Sequence, residues 1–305
     1  MSSQAPSPAP GQLPGLWERL VDDAAVFPPG LAPWGRAVHA HLRHRRSAYG
    51  PAVGPLLVPA AGVEEFLATP GSAHPGPEIA LVSPAGAGPA FEALGRLAGA
   101  GVVVTAVELP LPKGAAGTAA VWQRLAGPDD AKVWWEVDRG QDLVAQVEAV
   151  AEARETDQRE GGVKLRMGGT SAADIPPPAL VAEFLHAAVR AGSPVKLTAG
   201  LHHAVRGPDT VSAGVTHGVL NVVLAVAAAV QGASADVLAH VLARTDGDRL
   251  AAETAALDAT DVTDVRRCWA SFGCCGVTDP LTELAALGLF SKHDLPTHVH
   301  LQEVP

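Results

Sequence analysis

The sequence predicts an α/β protein built as a single TIM-type (β/α)8 barrel with an irregular last unit. Three observations predict it. Short apolar runs alternate with stretches of helical spacing along most of the chain, and uninterrupted apolar strands are what a parallel sheet covered on both faces requires. No glycine-rich phosphate loop follows the first such run. Phe27-Pro28-Pro29-Gly30 stands there instead, which argues against an open doubly wound sheet. Finally, two successive strand candidates each carry a lysine four residues ahead of a glycine, Lys164 before Gly168 and Lys196 before Gly200. That spacing sets both lysines at the same height near the carboxyl ends of near-neighbour strands, where barrels place their chemistry.

The elements follow in order. Residues 1–15 are rich in Pro, Ser and Gly and lack a basic n-region, so they read as a disordered N-terminal tail and not a signal peptide. The barrel is expected over residues 16–292, and residues 293–305, with His293, His298 and His300, as a C-terminal surface tail. The first strand candidate, residues 16–26, contains Asp22 and Asp23, for which a helix-ending or capping role is expected. The basic cluster at residues 36–46 reads as the exposed face of a helix. Strands at residues 55–60, 78–83, 102–109 and 132–138 then alternate with helices at 63–67, 91–98, 118–125 and 141–155. Residues 162–203 form a strand–helix–strand unit around a helix at 178–191, which makes its two strands parallel. Alternation along a strand sets Lys164 with Arg166 on one face, and Lys196 with Thr198. Helices at 219–230 and 235–243 follow, and the eighth strand is weakest, with residues 250–257 its candidate.

Composition limits the function. The 305 residues are 48% hydrophobic, yet no apolar run is long enough to span a bilayer. A net charge of −10 argues against nucleic acid or an anionic membrane as partner. The three cysteines, Cys268, Cys274 and Cys275, are odd in number and lack zinc-site spacing, which suits a reduced, cytoplasmic protein. Ser271-Phe-Gly-Cys-Cys-Gly reads as a turn with inert cysteines, since no histidine stands beside them in sequence.

Two lysines facing one barrel mouth point to an amine nucleophile. A second ammonium and partial burial would penalise the charge of the first and free its amine for attack on a carbonyl. Lys164-Leu-Arg-Met-Gly168 and Val195-Lys196-Leu-Thr-Ala-Gly200 resemble the paired lysine strands of the class I deoxyribose-phosphate aldolases, the sixth and seventh of that barrel. The resemblance implies that Lys164 forms a Schiff base and Lys196 tunes it. That family also carries an aspartate motif on strand four, where Glu108 ends the corresponding strand here. Asp23-Ala-Ala-Val-Phe-Pro-Pro, Lys164-Leu-Arg with Gly168-Gly169, Thr198-Ala-Gly-Leu-His-His203, His217-Gly-Val-Leu-Asn221 and Ser271-Phe-Gly-Cys together look like an uncharacterised bacterial TIM-barrel-like family, which implies an architecture and no reaction.

The remaining candidates surround the lysines. Glu108 and Glu136 stand near strand ends as acid–base groups or as counter-ions that plug the barrel top. Arg166 offers a planar fork to a carboxylate or phosphate. Gly168, Gly169, Gly200, His202, His203, His217 and Asn221 complete the expected substrate site, with one of the adjacent histidines facing it. The expected enzyme is thus a lyase of aldolase type acting on a small anionic carbonyl compound, without a cofactor. Two alternatives stand beside it. One is a lyase or hydrolase holding a divalent metal ion through His202, His203, His217 and a glutamate. The other is a non-catalytic barrel that binds an anionic metabolite. A homo-oligomer is compatible with all three.

Overall fold

The computed structural model describes residues 15–73, 75–112, 115–124, 131–291 and 295. Eight parallel strands close into a barrel: β1 (Val21–Asp23), β2 (Val53–Pro59), β3 (Ile79–Val82), β4 (Val104–Pro110), β5 (Lys132–Glu136), β6 (Gly161–Arg166), β7 (Val195–Thr198) and β8 (Trp269–Cys274). Each strand pairs with its neighbours in sequence order, and β8 closes the ring onto β1. The expected tails, residues 1–15 and 293–305, lie almost wholly outside the described residues.

The helices between strands are α1 (Trp34–Arg46), α2 (Val63–Leu67), α3 (Ala87–Gly99), α4 (Ala115–Arg124), α5 (Leu143–Asp157) and α6 (Pro178–Arg190). They form where apolar residues recur at helical spacing. In α6, for example, Val181, Phe184, Leu185 and Ala188 are all fully buried against the barrel wall. The β7–β8 connection is the irregular unit. It holds a two-stranded ribbon of Gly207–Pro208 with Val215–Thr216 and four helices, α7 (Val219–Val230), α8 (Ala235–Ala243), α9 (Gly247–Ala255) and α10 (Ala259–Cys268). After β8 comes α11 (Thr278–Ala286). No helix among the described residues is long and apolar enough to cross a membrane.

Two sequence expectations are corrected. The eighth strand is not residues 250–257, which lie largely in α9 because Leu250, Ala251 and Thr254 share one buried helical face. It is Trp269–Cys274, which includes the segment read as a turn. Small residues there serve the barrel interior: a Cβ on Gly273 would come within 3.1 Å of Leu57 and 3.2 Å of the Thr198 hydroxyl. The first strand is also shorter than residues 16–26, because a 3-10 turn occupies Gly15–Trp17. Asp22 and Asp23 therefore lie within β1, with no helix to end or cap.

The inner space of the barrel holds a small apolar cluster of Ala24, Leu57, Ala80, Ala106 and Trp134, separate from the large core between strands and helices. Short side chains on β3 and β4 leave room for the Trp134 indole. Beside it stand the buried charged side chains of Asp22, Glu108, Lys164 and Lys196.

Candidate functional site

Register places the charged side chains. Glu136, Lys164, Lys196 and Ser271 are successive partners across β5, β6, β7 and β8. This is the matched height that the lysine–glycine offsets imply. Glu108 on β4 reaches between the two lysines and gives one oxygen to each. Lys164 Nζ donates to Glu108 Oε2 at 2.8 Å and lies 2.7 Å from Glu136 Oε2. Lys196 Nζ lies 2.6 Å from Glu108 Oε1; that contact is close but poorly aligned for a directed bond, so it acts as an ion pair. Lys196 also donates to Asp22 Oδ2, which accepts a further bond from Ser271 Oγ at 2.9 Å. The result is a ladder of alternating charge, Glu136–Lys164–Glu108–Lys196–Asp22, closed by Ser271 and linking β5, β6, β4, β7, β1 and β8 across the barrel interior.

Burial is nearly complete past its first member. Glu136 keeps 32% of its side chain exposed, whereas Lys164 keeps 4% and Glu108 and Lys196 keep 1% each. Gly54 makes room for the Asp22 end, because any Cβ there would collide with the Asp22 carboxylate. Burial alone would raise the Glu108 carboxyl, but the two ammoniums outweigh it and hold it down at about 2. Burial likewise works against both lysine charges. Glu108 and Glu136 overcome it at Lys164, and Asp22 and Glu108 at Lys196, so both amines are raised above their usual range. Asp22 is raised by burial, with Lys196 opposing. We take this end as charged, because Lys196 touches two carboxylates. Nearby Arg266 is brought to about 10 by burial, while the Asp22 charge supports its cation.

Glu108 and Glu136 stand as counter-ions to the lysines, and Lys196 does not depress the Lys164 amine as the resemblance implies: its charge is already met by Asp22 and Glu108. Arg166, one step beyond Lys164 on β6, is exposed at the strand end. Asp22 and Ser271 are the ladder residues that sequence reasoning missed as part of the site, and Asp22 is the charged one. The signal was there, an acid inside the first apolar run, but a three-residue strand gives too little alternation to show which way it points.

A cavity of about 1290 Å³ opens over the ends of β6, β7, β8 and β1, and its wall includes Asp23, Gly168, Gly169, Gly200, His202 and His203. None of the ladder residues forms part of that wall. The glycines are needed for packing: a Cβ on Gly168 would come within 2.6 Å of the Ala199 carbonyl oxygen, and one on Gly200 within 2.8 Å of that of Met167. Asp23 faces α1 and lies 3.1 Å from Nδ1 of the buried His41.

The histidines separate. His202 Nδ1 lies 3.4 Å from the Cys274 sulfur, so a histidine does stand beside a cysteine, brought there by folding. Burial nevertheless holds the Cys274 thiol well up, which leaves it poorly nucleophilic. His203 Nδ1 donates to Glu283 Oε1 at 2.8 Å, and Asp209 stands 3.6 Å from Nε2. His217 is fully buried and donates from Nε2 to the Pro176 carbonyl at 2.8 Å. It is neither a partner of the other two histidines nor the cap of α7, which is Gly218. Asn221 is also buried. It donates to the carbonyls of Val241 and Arg244 and accepts from the Arg206 N–H, so its amide ties these segments together. Among the described residues, no group of three His, Cys, Asp or Glu side chains is spaced to hold a metal ion.

These environments set distinct titrations. Burial opposes the His203 cation, but Glu283 and Asp209 outweigh it and raise its pKa; burial lowers His202, and lowers His217 to about 4. Imidazole NMR should therefore show His203 above 6.5 and the other two below it. Glu283→Gln should lower His203. The contribution of this pair to loop stability is then fully present below pH 6.5 and lost as pH rises through the raised value. A His203 resonance titrating below 6.5 would contradict the pairing.

No family model matches this chain, no curated protein matches it, and no solved structure matches it.

Proposed function

We propose that the barrel is a lyase of aldolase type, in which the Lys164 amine forms a Schiff base with a small anionic carbonyl compound. The observation that carries this reading is the position of Lys164: it is the outermost amine of the ladder, held between buried Glu108 and partly exposed Glu136. Its raised pKa is not an obstacle to the product. An ammonium and a carbonyl give a protonated Schiff base and water with no net change in protons. The iminium carries the same charge as the ammonium, so the carboxylates that stabilise one stabilise the other.

The cost falls on the step between. Lys164 must lend a proton to Glu136 to expose its lone pair, attack the carbonyl carbon, and let the carbinolamine oxygen leave as water with that proton returned. The iminium then withdraws electrons from the adjacent carbon–carbon bond. Glu108 and Lys196 hold Lys164 in place, and Arg166, exposed at the end of the same strand, suits the anionic group of the substrate. The two lysines lie on the sixth and seventh barrel strands, the same strands as in the aldolases that the sequence resembles.

Intact-mass analysis after borohydride reduction with a panel of small aldehydes and keto acids tests this. One reduced adduct per chain is expected in the wild type and none in Lys164→Arg, which keeps the cation without a nucleophilic amine. An equal adduct in the variant would sink the proposal.

A further inference from the structure

We infer that the cavity at the seam between β8 and β1 is a second ligand site, separate from the charged ladder, and that it takes an amphipathic organic anion. Among the described residues, the helices that flank this seam, α1 and α11, make no substantial contact with each other. The reason lies in the sequence of α1. Arg36, Ala40 and Arg43 recur at helical spacing and form the wall facing the gap, with Ala37 beside them. Alanine there leaves volume that a larger apolar residue would fill. The opposite wall is supplied by Thr282 and Glu283 of α11. At about 1290 Å³ the space exceeds the range of about 300–1,000 Å³ usual for small-molecule sites.

Two observations give the chemistry of the ligand. The acidic wall is already satisfied: Glu283 accepts from His203 and from the Ala204 N–H, Asp209 from Ser212, Asp23 from the Ala25 N–H beside His41, and Asp279 is partnered as well. The cationic wall is not: among the described residues neither Arg36 nor Arg43 has an ion-pair or hydrogen-bond partner. The unmet charge is therefore positive, and it calls for an anion. Independently, Thr216 is 3% exposed and lies in the wall with its hydroxyl unpartnered. A buried hydroxyl without a partner fits a site whose polar contact comes from a ligand. Between these groups the wall is apolar, with Pro28, Pro29, Ile175 and Val277 among its members. A carboxylate, sulfonate or phosphate on an apolar body meets each feature.

The test uses the full chain with 8-anilinonaphthalene-1-sulfonate, an aromatic sulfonate, and its uncharged relative N-phenyl-1-naphthylamine. Saturable binding of one sulfonate probe per chain is expected, with a rise in Tm as the probe is added. The uncharged probe should bind about tenfold more weakly or worse. Reversing both arginines, Arg36→Glu with Arg43→Glu, should weaken the sulfonate by about tenfold or more. Thr216→Val should weaken it by about threefold, and Ala40→Trp should fill the space and remove binding. Lys164→Arg should leave binding unchanged, so that loss of the amine chemistry and loss of this site are separate results. The inference is overturned if no saturable site exists, if the charge-reversed chain binds like the wild type, or if the uncharged probe binds equally well.

Discussion

Replacing Glu108 by alanine is expected to lower the unfolding free energy by about 3–5 kcal/mol, the range seen when one partner of a buried ion pair is removed. Glu108 supplies a carboxylate oxygen to each of two buried ammoniums, at 2.8 Å from Lys164 and 2.6 Å from Lys196. Without it, Lys196 keeps only Asp22, and both lysines face each other across adjacent strands. Glu136→Gln removes an equally close contact, but one whose carboxylate is 32% exposed, and should cost less than about 1 kcal/mol. Urea unfolding of the two variants checks the contrast. Acid gives a second view. A carboxyl held at about 2 when folded, against 4.5 for the free side chain, contributes stability that is present above pH 4.5. That stability is lost as pH falls through about 2, and the linkage is worth about 3 kcal/mol. Glu108→Ala should flatten the acid limb of the stability curve. If Glu108→Ala cost no more than Glu136→Gln, the alternating ladder would not be the charged core described here.

The second large effect is kinetic. With Glu136 able to take the Lys164 proton internally, the rate of imine formation, sampled by borohydride quench, should be nearly flat between pH 6 and 9. Glu136→Gln removes that acceptor. Its rate at pH 7 is expected to fall by about a hundredfold or more, in the range of general base contributions. The residual rate should climb about tenfold per pH unit, since bulk hydroxide must then strip an amine whose pKa is raised. A wild-type rate that rises steeply and levels off below pH 8 would instead mark a depressed lysine, and would contradict the pairing with Glu108 and Glu136.

Much of this architecture is legible in the chain. The helices at residues 219–230 and 235–243 fall where the spacing puts them, because apolar periodicity over several turns is a strong signal. The equal offsets from Lys164 to Gly168 and from Lys196 to Gly200 translate directly into strand register. Other parts are hidden because they depend on residues far apart in sequence. Asp22 meets Lys196 across 174 positions and Ser271 across 249, so the acids that compensate the lysines cannot be paired by spacing. The eighth strand is masked because its interior positions are Ser271 and Gly273, chosen for space and not for apolar character. His217 and Asn221 look like site residues in sequence, and in the structure both are buried and bonded to backbone carbonyls. Polar residues tying buried loops together and polar residues meeting a ligand have the same composition, and only their partners distinguish them.

The chain has five lysines, Lys113, Lys132, Lys164, Lys196 and Lys292, which makes the central claim open to direct mapping. Wild-type protein reduced with borohydride in the presence of the aldehyde and keto-acid panel would be digested and each lysine scored for adduct. The account requires the adduct on Lys164 with Lys196 unmodified, since both carboxylates that hold Lys196 are buried whereas Lys164 borders the partly exposed Glu136. Adduct spread over Lys132 and the other lysines, with Lys164 untouched, would contradict it and leave the ladder as a structural plug of the barrel.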